Sequence, residues 1–318
     1  MKLSICMIAR DEERDLPRLL ASITGLADEL ILVDTGSTDR TRELATAAGA
    51  IVHEIVWPND FAAARNASLE HATGDWILVL DADEEVVEVA TLRAELEEAN
   101  KLGLGGLSLV MRNLSPPGEA TTYQDLPIVR AFRRGIARYE GRIHEQISPA
   151  IQRVGGVLGA SDLHLLHHGY TRKEAQGVDR ARRNLALLEA AVAAEPDDMY
   201  LRYQLGVTMK AVGDPKAEDV LRSSLRARGA LSPAAAADVQ MRLAQLALLR
   251  GDNAAAFNEA HACLKADAAN VIALQITIVA GVALNRGPDV KRACTALLGQ
   301  PNVAAQVRAD AEALLKLL

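Results

Sequence analysis

The sequence predicts an α/β domain built on a mainly parallel sheet, followed by an all-helical domain of repeats. Three observations carry this. Short, nearly all-apolar runs of strand length alternate with amphipathic stretches of about ten residues, the pattern of βαβ units. Several of those runs end in polar or acidic residues. From about Arg172 the composition turns to alanine and leucine, with glycine breakers at regular intervals. The boundary falls near residue 175, giving domains over 1–175 and 176–318.

The elements follow in order. Leu3 to Ala9 reads as a strand covered on both faces. Asp15 is placed to cap a helix with Pro17 in its first turn. Glu29 to Asp34 is a second buried strand, and Ser37 or Thr38 is the expected cap of the helix after it, which Gly49 stops. Ala50 to Val56 alternates as a third strand. Asp60 is the expected cap of a helix through Ala63, Ala67 and Leu69. Trp76 to Leu80 is a fourth strand that runs straight into Asp81-Ala82-Asp83. A helix over 91–101, a strand over 106–112 and a polar loop over 113–125 follow. Strand-like pieces then occur at 128–132 and 162–167. In the second half, Gly213 to Gly251 spans 38 residues and Gly251 to Gly287 spans 36. That period, with two helices per unit, is the period of tetratricopeptide-type repeats.

The bulk numbers exclude several classes. The 318 residues carry a net charge of -7, so no basic field draws the protein to nucleic acid or to anionic lipid. No apolar run is long enough for a membrane span or a signal peptide. Cys6, Cys263 and Cys294 show no metal-site spacing and are expected as buried thiols. A cytoplasmic protein is the expectation.

In an open parallel sheet, ligands bind beyond the carboxyl ends of the strands. Here strand one ends in Ala9-Arg10-Asp11-Glu12-Glu13, strand two in Asp34-Thr35-Gly36-Ser37-Thr38-Asp39, and strand four in Asp81-Ala82-Asp83. Two carboxylates one residue apart past a buried strand suit a hard divalent cation, Mg²⁺ or Mn²⁺, completed by phosphate oxygens and water. The same acids also suit a solvated strand end. Asp34 is placed to accept from a base or ribose, or to shape its own turn. Arg65, one turn into its helix, is a candidate for meeting a diphosphate or holding a site acid, with a surface role as the alternative.

These residues resemble a known family. The order Met7-Ile8-Ala9-Arg10-Asp11-Glu12-Glu13, Val33-Asp34-Thr35-Gly36-Ser37-Thr38-Asp39, Ala64-Arg65-Asn66 and Gly74-Asp75-Trp76-Ile77-Leu78-Val79-Leu80-Asp81-Ala82-Asp83-Glu84 resembles family 2 glycosyltransferases of the GT-A fold, a Rossmann-like α/β class. Within it, the chain is similar to the branch with tetratricopeptide repeats after the catalytic domain, which includes peptide glycosyltransferases. The resemblance covers roughly 1–175. It implies that Ala9, Asp11 and Glu12 lie near the nucleoside, and that Asp34 binds uracil or ribose. It also implies that Asp81, with Ala82 beside it, contacts the ribose or the metal site, and that Asp83 ligates the metal. One departure is visible: many relatives have Asn where this chain has Asp11.

Two downstream pieces share the resemblance. Tyr139-Glu140-Gly141-Arg142-Ile143-His144-Glu145 implies an acceptor side, with Glu145 the candidate general base and His144 the fallback. An ion pair of Glu145 with Arg142 or a neighbour is the alternative. His164-Leu165-Leu166-His167-His168-Gly169-Tyr170 implies a closing segment in which His167 completes the cation's shell. The implied activity is metal-dependent, inverting transfer of a sugar from a nucleoside diphosphate sugar, with UDP as the expected nucleotide. The concave face of the repeats is expected to hold a peptide or protein acceptor, or to build a homodimer. A nucleotidyltransferase is disfavoured because 9–16 lacks the glycine- and lysine-rich loop that a triphosphate needs. A non-catalytic repeat scaffold that keeps a nucleotide-binding domain is the second functional class.

Overall fold

A computed structural model describes the backbone of residues 1–114, 124–169, 174–227, 230–301 and 303–318; the side chains of 124 and 174–180 are outside the description. Most of the predicted polar loop over 113–125, and Tyr170, therefore lie outside the described residues. The chain divides into two compact units, Met1–Gly177 and Val178–Leu318.

The first unit runs β1 (Leu3–Ala9), α1 (Leu16–Ser22), β2 (Glu29–Asp34), α2 (Thr41–Ala47), β3 (Ile51–Glu54), α3 (Phe61–His71), β4 (Trp76–Val79) and β5 (Glu84–Val86). It continues with α4 (Val89–Lys101), β6 (Gly106–Asn113), β7 (Gln124–Arg133), α5 (Ser148–Arg153) and β8 (Leu158–His167). One sheet of eight strands has the order β3-β2-β1-β4-β7-β6-β8-β5. From β3 to β4 every pairing is parallel. Beyond β4 the sheet is mixed, because β7 runs antiparallel to both neighbours and β5 antiparallel to β8. The predicted parallel character holds throughout the first half and for one pairing beyond it. β6 and β8 are parallel to each other. Two antiparallel steps through β7 restore the direction of β4, so β1, β2, β4, β6 and β8 all finish on one edge.

The apolar runs are apolar because both sheet faces are covered. Ile5, Met7, Leu32, Trp76 and Leu78 pack into one core with Leu16, Leu19, Leu92 and Leu96. Cys6, Ile31, Ile77, Val79 and Phe132 pack on the opposite face with Ile147 and Ile151. Each such side chain contributes about 1.5–3 kcal/mol by leaving water. β3 is shorter than predicted and lies at the sheet edge, where Ile51 is 54% exposed.

Local signals were followed unevenly. Asp60 caps α3 as predicted, accepting from the Ala63 amide at 2.8 Å. The cap expected from Ser37 or Thr38 is not made. Arg40 stands at the cap position without a side-chain capping bond, Asp39 before it accepts from the Thr41 amide at 2.9 Å, and Ser37 and Thr38 bond to Asp11 instead. Asp15 stands before α1 without a side-chain capping bond.

Every named element of the second unit is a helix. After α6 (Glu174–Ala194) come α7 (Met199–Ala211), α8 (Ala217–Ser224), α9 (Pro233–Leu249), α10 (Asn253–Ala266), α11 (Val271–Ala283), α12 (Gly287–Leu298) and α13 (Ala305–Leu315). α7 packs on α8, α9 on α10 and α11 on α12, the pairing of tetratricopeptide-like repeats. A Cβ on Gly206 would lie 2.7 Å from Leu221, and one on Gly281 would lie 2.8 Å from Val290. The two glycines let equivalent pairs cross closely. Along α7, α9 and α11 an open groove of about 410 Å³ is lined by Lys210, Gln245, Leu248, Leu249, Ile272 and Val279. The three cysteines are free and buried, and no described helix is long and apolar enough to cross a membrane.

Candidate active site

The strand ends bring most of the predicted residues to one edge. Ala9, at the end of β1, accepts from the Thr35 amide at 2.9 Å and so ties the β2 loop to β1. Asp11, at φ 54, accepts from the Thr38 amide at 2.7 Å and from its hydroxyl at 3.1 Å. Both bonds end on Oδ1, whose two lone pairs can accept them together. The amide of Glu12 donates to the Thr41 hydroxyl at 2.7 Å. The two loops thereby form one braced rim.

Asp34 lies inside that rim and is fully buried. Its Oδ1 accepts from the amides of Gly36 and Ser37 at 3.1 and 2.9 Å, and its Oδ2 is buried with no hydrogen-bond partner. An acceptor left orphaned in a protein interior is costly, and a donor from a ligand removes that cost. Gly36, at φ 106, supplies the backbone turn that folds its amide onto the carboxylate.

The two aspartates after β4 have different surroundings. Asp81 accepts from Arg65 Nη2 at 2.8 Å and from Arg130 Nη2 at 2.7 Å. Desolvation opposes its ionisation, but the two guanidiniums outweigh it and hold the carboxyl below the usual range. Arg130 also pairs with the fully buried Glu84, whose pKa burial raises. Arg65 is a buried residue, and its Nε donates to Glu145 Oε1 at 2.6 Å. Glu145 therefore pairs with Arg65 and not with Arg142, whose Nη1 donates to the Asn59 carbonyl. The loop that delivers Glu145 is closed by an antiparallel bridge between Glu140 and Gln146, with Gly141 at φ 93 and His144 at φ 56. Asn66 clamps its start, exchanging bonds of 2.9 and 3.0 Å with the Tyr139 backbone. His144 is an exposed residue on that loop. Desolvation lowers its pKa and Glu145 opposes the shift.

Asp83 faces a histidine. Its Oδ2 lies 3.5 Å from His167 Nε2. The topology enforces this, because Glu84 is the register partner of His167 and the His168 amide donates to the Asp83 carbonyl at 2.9 Å. Burial lowers the His167 pKa, but Asp83, Glu84 and Asp81 together outweigh it, and the net shift is upward. A Cβ built on Gly169 would stand 2.6 Å from His167 Nε2 and 2.7 Å from Asp83 Oδ2. Only glycine leaves open the space onto which both atoms face. Adjacent ligands of an octahedral cation, each at about 2.1 Å, are roughly 3 Å apart, so the pair fits a divalent cation after a small closure. Among the described residues no group of three His, Cys, Asp or Glu converges on one point. Further ligands would come from outside the protein. Ala82, between the aspartates, buries its methyl in the sheet core.

Several of these positions carry no sequence prediction. Arg130 has a readable signal: a lone arginine inside Ile128-Val129-Arg130-Ala131-Phe132 marks a charge held within a sheet. Glu84 has none, because its role depends on pairing between distant strands.

Residues 4–126 match the model of Glycosyl transferase family 2. The match lies within the first unit and takes in β1 to β6. A TPR repeat-containing protein of Synechococcus elongatus is 38% identical over 274 residues, covering 83% of this chain and 66% of that protein. The SPbeta prophage-derived glycosyltransferase SunS of Bacillus subtilis is 25% identical over 228 residues, covering 69% of this chain and 52% of SunS. The chain thus spans between half and two thirds of the length of these relatives. Among solved structures, the mannosyltransferase PcManGT from Pyrobaculum calidifontis, in complex with GDP-Man and Mn²⁺, aligns with a TM-score of 0.44 at 18% identity over 85% of this chain and 87% of that one.

Proposed function

We propose that the protein is a metal-dependent glycosyltransferase that moves a sugar from a nucleoside diphosphate sugar, UDP-linked, to an acceptor nucleophile with inversion at the anomeric carbon. The observation that carries the metal-dependent part is the Asp83–His167 pair beneath Gly169, at the same sheet edge as the orphaned Asp34 Oδ2.

Asp34 receives a donor from the nucleoside, and the rim of Ala9, Asp11 and Glu12 walls the base. Asp83 and His167 would hold Mn²⁺ or Mg²⁺. When bound, the cation neutralises the diphosphate and stabilises charge developing on the leaving group. Asp81, engaged on both oxygens by guanidiniums, anchors the turn that presents Asp83, so the geometry favours Asp83 as the ligand. Arg65 fixes Glu145 with one nitrogen and Asp81 with another, which aligns the base with the metal-bearing turn. Glu145 takes the acceptor's proton as the acceptor attacks the anomeric carbon. The bond from that carbon to the diphosphate oxygen breaks on the opposite face.

The test is nucleotide release from UDP-, GDP- and dTDP-sugars, with Mn²⁺ and with chelator. One donor should be hydrolysed, only with metal, and Asp83→Ala should reduce the rate about 10²-fold or more. With an acceptor in hand, Glu145→Gln keeps an oxygen for Arg65 and should lower kcat by about 10²–10⁴-fold. No binding or turnover of any donor would support the repeat-scaffold reading instead.

A further inference from the structure

Asn113 ends β6 and His167 ends β8, and the parallel register sets them side by side. Asn113 is a buried residue, and its side-chain oxygen lies 2.7 Å from His167 Nδ1. An amide oxygen carries no hydrogen, so the contact is a hydrogen bond only if Nδ1 donates. In a neutral imidazole the proton then sits on Nδ1, and Nε2 is left as the acceptor. That same Nε2 is the atom facing Asp83 Oδ2 across the space Gly169 keeps open.

We propose that Asn113 is a positioning residue: its amide fixes the tautomer and ring orientation of His167, so that the Nε2 lone pair is presented to a divalent cation beside Asp83. The inference rests on the metal-dependent reading above. It also explains why a polar side chain is buried at the end of a strand whose neighbours Leu107 and Leu109 are core residues. Histidines that ligate metals generally donate their second nitrogen to an oxygen, and removing that oxygen weakens metal binding about 10–100-fold.

Two readouts besides activity test it. The first is the ¹⁵N shift pair of His167 in the metal-free protein, at a pH where the ring is neutral. The second is the Kd for Mn²⁺, alone and with UDP, followed by electron paramagnetic resonance. Wild type should report the Nδ1–H form. Asn113→Ala should populate the Nε2–H form and raise the Mn²⁺ Kd about 10–100-fold. Asn113→Asp, which still accepts at that position, should restore the Nδ1–H form. A wild-type His167 protonated on Nε2 would overturn the proposal whatever the variants do. So would Asn113→Ala with wild-type tautomer and Kd. If His167→Ala weakens Mn²⁺ binding and Asn113→Ala does not, positioning alone falls. If His167→Ala leaves the Kd unchanged, the metal-ligand reading falls with it.

Discussion

Asp81 and Asp83 are one residue apart, yet one is held by two guanidiniums and the other faces an imidazole. Their chemistry is set by partners that arrive from α3, β7 and β8. The same lesson applies at the opposite end of the sheet, where Glu29 accepts from Ser4, Thr73 and Lys2. Desolvation would raise its pKa, but those hydrogen bonds outweigh it and lower it from 4.5 to about 2. A depressed carboxylate stabilises the fold above its unfolded pKa and loses that contribution as pH falls through the folded value. Glu29→Gln should therefore cost on the order of 2 kcal/mol near pH 7. The difference should vanish as pH falls from 4.5 to about 2. Urea unfolding of both proteins across that range checks the sign and the window.

At the scale of elements, short helices act as brackets for long-range contacts. α3 starts at a cap that was legible, and it carries Arg65 and Asn66 to the Glu145 loop. Asp60→Ala should cost about 1 kcal/mol. Because Phe61, the first residue of α3, also donates to the Arg142 carbonyl at 2.8 Å, fraying there should loosen the loop that holds Glu145. Faster amide exchange over 140–146 in the variant is the expected result; unchanged exchange would separate the cap from the loop. Strand existence was readable from apolar runs, whereas β5 was not. It is a three-residue strand, Glu84–Val86, that starts on a buried carboxylate, and only its pairing with β8 makes it a strand.

At the scale of the molecule, two units carry different surfaces. The first holds the clustered acids and the second an open groove with apolar walls. If that groove takes part of a peptide or protein acceptor, Leu249→Asp should impair transfer while leaving metal-dependent donor hydrolysis intact. Leu249 is 83% exposed, so the substitution changes the groove with little effect on folding. Equal loss of hydrolysis and transfer would place the effect elsewhere.

The α/β beginning, the helical repeats after it, and the acidic ends of β1, β2 and β4 were all legible in the chain's own patterning. These are local properties: side-chain periodicity follows from covered faces, and the strand-end acids are contiguous with their strands. Folding alone reveals that β7 turns the sheet mixed, that Arg65 and Arg130 share Asp81, and that Asn113 and Gly169 frame His167. Those outcomes depend on register between strands far apart in the chain, and periodicity within one segment carries no information about which distant strand it will meet.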